Sequence, residues 1–121
     1  MGHSQQYIQY IRSKKWRDFC NYVHATTGHH CVLFPWLKSN HVHHLHYANL
    51  EKEVIVFDVV PLSRFAHSII HFPILWKNKK IRFYVNILLR VLYIFWFLFY
   101  FIIENSVVFF LFFLLLLLVV L

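Results

Sequence analysis

The chain has 121 residues and a mass of 14.8 kDa, room for one compact domain at most. With 60% of its residues hydrophobic and 21% aromatic, it cannot be a disordered chain, and 14% charged residues against roughly 25% in soluble domains place part of it outside water. A net charge of +7 favours a polyanionic partner, either nucleic acid or anionic lipid headgroups.

In chain order, the N-terminus lacks the basic, apolar, small-residue order of a signal peptide, and Gly2 lacks the Ser or Thr that myristoylation wants at Gln6. A cytoplasmic start is expected. Tyr7, Ile8 and Ile11, then Trp16, Phe19, Tyr22 and Val23, recur at helical spacing and predict one or two amphipathic helices up to the Thr26-Thr27-Gly28 turn. Cys20 and Cys31 have no C-x-x-C spacing and read as idle or buried thiols. A strand is expected over 41–45, a β-branched strand over 54–60 ended by Pro61, and a short helix over 63–72 stopped by Pro73.

The membrane segment follows. Residues 83–103 read FYVNILLRVLYIFWFLFYFII, about the length that crosses ~30 Å of hydrocarbon as a helix, with Arg90 close enough to one end to reach the headgroups. The basic run Lys77-Asn78-Lys79-Lys80-Ile81-Arg82 beside it reads as a juxtamembrane linker and, by the positive-inside rule, places residues 1–82 in the cytoplasm. Glu104-Asn105-Ser106 then interrupts the apolar run before VVFFLFFLLLLLVVL. Either the triplet is the turn of a helical hairpin, the preferred reading, or one span ends near Ile103 with a greasy tail. The organisation expected is therefore α+β: a small domain over 1–76, a linker over 77–82, and an anchor over 83–121 of one or two transmembrane helices. Besides the lipid bilayer, a helix-packing membrane partner is expected, because isolated short spans need one.

All ten histidines precede the apolar part. His67 and His71 are four apart on the expected helix, so both imidazoles leave one face, as a metal pair requires. His43 and His44 are neighbours on a strand and point to opposite sides, so only one can join that pair directly. The other is free to act as a base, the role an imidazole titrating near pH 6.5 suits.

The residues Tyr7-x-x-Tyr10-Ile11-x-Ser13-x-x-Trp16-Arg17, Gly28-His29-His30-Cys31, Val42-His43-His44-Leu45-x-Tyr47-x-x-Leu50-x-x-Glu53 and Asp58-Val59-Val60-Pro61-Leu62-Ser63-Arg64-Phe65-Ala66-His67-x-x-x-His71 together resemble a bacterial HNH endonuclease. The resemblance covers about residues 7–76. It implies a ββα-metal domain holding one divalent ion (Mg, Mn or Zn) and hydrolysing a phosphodiester of nucleic acid, with DNA the expected form. It further implies that His43, His67 and His71 ligate the metal, as in the colicin DNases, and that His44 is the general base. Asp58 would stand for the family's middle asparagine and orient that base, and Arg64 would clamp a phosphate.

The departures are specific. Of the structural-zinc knuckles many relatives carry, only Cys31 remains, its partners mapping to Phe34, Ser63 and Ala66, so no structural zinc is expected; the loop glycine is replaced within Leu50-Glu51-Lys52-Glu53. Such a domain is either a nuclease that folds without the zinc or a decayed one. The spacing His24-x4-His29-His30 and its successors also resemble the boxes of membrane di-iron desaturases, but every histidine here precedes the first span. The remaining alternative is a non-catalytic membrane protein whose basic cytoplasmic domain binds nucleic acid or anionic lipid.

Overall fold

A computed structural model describes residues 4–120. The architecture is α+β: two N-terminal helices, a two-stranded antiparallel sheet, two short helices and one long C-terminal helix. Helices α1 (Gln5–Arg12) and α2 (Lys14–Ala25) meet at Ser13, which closes the first and caps the second by accepting the Trp16 amide. Strand β1 is His41–His44 and β2 is Val59–Leu62, paired His41 to Leu62 through His44 to Val59.

The strand expected over 54–60 is shifted. Residues 54–58 close into a turn instead, because the buried Asp58 carboxylate takes the Val54 amide at 2.7 Å while the Asp58 amide returns to the Val54 carbonyl. Val56 consequently sits at φ 75°, a strained position for a β-branched residue. Nor does Pro61 end the strand. Its carbonyl points away from β1 and takes the Val32 amide, so the missing N–H faces outward too and the ladder loses nothing.

Helix α3 (Arg64–Ile70) is capped by Ser63, whose hydroxyl accepts the Ala66 amide, and ends at His71. Pro73 stops nothing further. It opens α4 (Pro73–Lys77), where its fixed φ suits a first helical turn. The expected 77–82 linker is absent as such: Lys77 ends α4, Asn78 turns the chain and caps the next helix, and Lys79 already belongs to α5 (Lys79–Val120).

Helix α5 is continuous over 42 residues, about 63 Å, and is long and apolar enough to cross a membrane. The hairpin is overturned. Asn105 and Ser106 donate to the carbonyls of Phe101 and Ile103, so two of the three polar side chains are satisfied inside a helix that runs on without a turn. Arg90 does not reach for headgroups either, since its guanidinium donates twice to the Phe57 carbonyl. Around it Asn86 donates to the Leu45 carbonyl, Leu89 and Tyr93 are buried, and Tyr100 covers Gly28. A Cβ on Gly28 would run into the Tyr100 ring, at a φ of 57° that glycine alone takes freely. The first half of α5 is thus docked on the domain, sharing a core with Val32, Leu45, Val60, Leu62, Ala66 and Ile70.

Candidate metal centre and its cleft

Three of the expected site residues converge. One ring nitrogen from each of His43, His67 and His71 lies within 4.8 Å of the others. The sheet register turns His43 toward α3, and the helical spacing sets His67 and His71 side by side, their rings 4.5 Å apart even though His71 is the residue that ends the helix. His43 is 2% exposed, and its Nε2 is buried with no hydrogen-bond partner. The only other such atom among the described residues is Asn86 Oδ1, whose amide nitrogen is bonded. A buried nitrogen lone pair without a donor costs free energy unless something else takes it, and a cation would.

Electrostatics favour the neutral, ligating form. Burial, reinforced by His71 and His67, holds His43 down at about 3. Burial with His71 and His41 lowers His67 to about 4, and burial lowers His71 as well. All three imidazoles therefore keep their lone pairs near neutral pH, and the triad could hold a metal ion.

His44 lies on the other side of β1, as alternation along a strand demands. Its ring is clamped between Trp16, stacked at 4.8 Å, and Tyr47, stacked at 5.0 Å. Glu53 Oε1 meets its Nε2 at 3.2 Å, both side chains being 3% exposed, while the other Glu53 oxygen accepts the Tyr10 hydroxyl at 2.7 Å. Burial lowers the His44 pKa and the Glu53 carboxylate opposes it, with burial the larger.

The residue expected to orient His44 does something else. Asp58 pairs with His46 Nε2 at 2.7 Å and accepts from Asn49 and the Val54 amide, so it builds the loop between the strands. The carboxylate that touches His44 is Glu53, and its anchor is Tyr10; both stand in the motif quoted above, but nothing in their spacing pairs them with His44. The left-handed turn that a loop glycine would serve is taken by Glu51 at φ 70°. Arg64 is exposed at the start of α3 and does not line the cleft.

At the knuckle positions, Cys31 is buried in the core with its sulfur accepting the Phe34 amide, Phe34 packs on Trp36 and Phe65, Ser63 caps α3 and Ala66 is buried. Those positions are used for packing and capping. Burial also pushes the Cys20 thiol up to about 12, away from reactivity.

Both halves of the site open on one cleft of about 940 Å³, lined by His43, His44, His67 and His71 together with Tyr7, Trp76 and Arg82. Comparison with family models, curated proteins and solved structures returns no match to this chain.

Proposed function

We propose that this chain is a membrane-tethered, metal-dependent endonuclease of the HNH type, hydrolysing phosphodiesters of DNA, with its domain on the cytoplasmic side and the far half of α5 in the bilayer. One coincidence carries the reading: three neutral imidazoles with an orphaned buried lone pair face the same cleft as a fourth imidazole held rigid by a carboxylate. His43, His67 and His71 are the metal ligands. Three nitrogen donors suit zinc or a similar transition ion better than magnesium, which prefers oxygen. Such an ion, when bound, would stabilise charge on the phosphate and on the departing oxygen.

His44 takes the proton of the attacking water. Glu53 occupies Nε2 and so leaves Nδ1 for that transfer, and it stabilises the imidazolium once formed; Trp16 and Tyr47 keep the ring from turning. The loop built by Asp58 holds Glu53 in register.

The test is a cleavage assay on the full chain in detergent, with single- and double-stranded DNA and Zn²⁺, Mn²⁺ or Mg²⁺. His44→Ala should keep the metal and lose cleavage by about two to four orders of magnitude, as expected for a removed base, whereas His67→Ala or His71→Ala should lose the metal too. Wild-type protein that binds metal and DNA but cuts neither form would leave the binding-module alternative standing.

A further inference from the structure

Among the described residues, one formally charged side chain lines the cleft, and it is not the arginine that the sequence suggests. Arg82, in the first turns of α5, lines the cleft beside His43, His67 and His71, while among the described residues no aspartate or glutamate lines it. Its guanidinium lies 5.2 Å from the Trp76 ring centre, and Trp76 in turn packs on His71 at 4.5 Å and on His43 at 5.8 Å. Arg82 forms no salt bridge among the described residues, unlike Lys14 and Lys15, and its side chain has no hydrogen bond, unlike Arg90.

Charge balance makes this arrangement informative. Three neutral imidazoles supply no negative charge to a divalent ion, and the guanidinium adds a further positive one. Arg82 is partly buried and His71 is exposed, so the cleft is open to solvent, and an anion entering it would be attracted by the guanidinium and by any cation held on the triad. The planar donor fork of arginine matches two oxygens of one phosphate, and the cation–π contact with Trp76 keeps the guanidinium beside the cleft before any ligand arrives.

We propose that Arg82, braced by Trp76, is the phosphate-binding residue of the cleft, seating a phosphate oxygen beside the histidine triad. This rests on the function proposed above and names the group that would hold its substrate. It also gives the tether a structural role, since the residue that seats the phosphate is carried by the anchoring helix itself.

The probe is inorganic phosphate, titrated into the full chain in zwitterionic detergent, with and without saturating Zn²⁺. Arg82→Ala should weaken phosphate binding by about tenfold or more while leaving Zn²⁺ affinity within about twofold, and Arg82→Lys should fall between, keeping charge but losing the fork. Arg64→Ala should bind phosphate like wild type. Retained Zn²⁺ affinity in Arg82→Ala shows that the cleft is still folded. Wild-type phosphate affinity in Arg82→Ala, or an equal loss in Arg64→Ala, would overturn the assignment. Failure to bind Zn²⁺ would sink the metal reading instead, and the comparison of phosphate affinities in metal-free protein would still judge Arg82.

Discussion

His43 and His44 are adjacent in sequence and have opposite surroundings, and that difference sets what each can do. His43 is buried among imidazoles, with its pKa near 3 instead of the ordinary 6.5. As pH falls, the unfolded chain takes up that proton first, so the stability is fully present above pH 6.5 and is lost progressively below it. Metal-free protein, kept in chelator, should therefore be about 2 kcal/mol less stable at pH 5 than at pH 7.5 from this group alone, read as a shift in denaturant midpoint. A midpoint that does not move would mean that His43 is solvated. His44 differs because Glu53 works against burial. Glu53→Gln removes the influence that raises its pKa, so the acidic limb of the pH–rate profile should move to lower pH, with cleavage reduced. An unmoved limb would mean that Glu53 holds the loop through Tyr10 and has no electrostatic say over His44.

At the scale of elements, α5 is the unexpected one. Its cationic first turn, with Lys79, Lys80 and Arg82, runs against the helix dipole, which favours acidic groups there. Its first half carries Asn86 and Arg90, which look like flaws in a span until their partners, the Leu45 and Phe57 carbonyls, are seen across the domain interface. Lipid cannot reach that face, whereas the most apolar stretch of the helix is nowhere buried. About 20 residues suffice to cross the hydrocarbon, so the far half of α5 is long enough by itself, with Glu104 near one end able to reach the interface. A chain ending at residue 103 should then be released by alkaline carbonate while the full chain is retained. Retention of the truncated form would return the span to residues 83–103. The first half packs on the chain's own domain.

In the whole molecule, what lies within one element was legible in the sequence and what joins distant elements was not. The i, i+4 spacing of His67 and His71 and the opposed faces of the His43-His44 doublet follow from helix and strand periodicity, and β1 and α3 fall close to where composition puts them. The pairing of His44 with Glu53 depends on a loop shaped by Asp58, and the docking of α5 depends on carbonyls some forty and thirty residues earlier in the chain; no periodicity encodes either. These long-range links also tie the histidine triad to the anchor. Two of its histidines lie on or at the end of α3, the third on β1, and β1 is followed at once by Leu45, whose carbonyl holds Asn86 of α5. An ion bound only by the folded form stabilises it by mass action, about 2.7 kcal/mol at a free concentration one hundred times its dissociation constant. Zn²⁺ at that excess should raise the denaturation midpoint of the full chain accordingly and slow amide exchange over residues 86–93 as well as over β1 and α3. His67→Ala should abolish both effects. Slowed exchange confined to β1 and α3 would mean that the first half of α5 opens independently of the cleft.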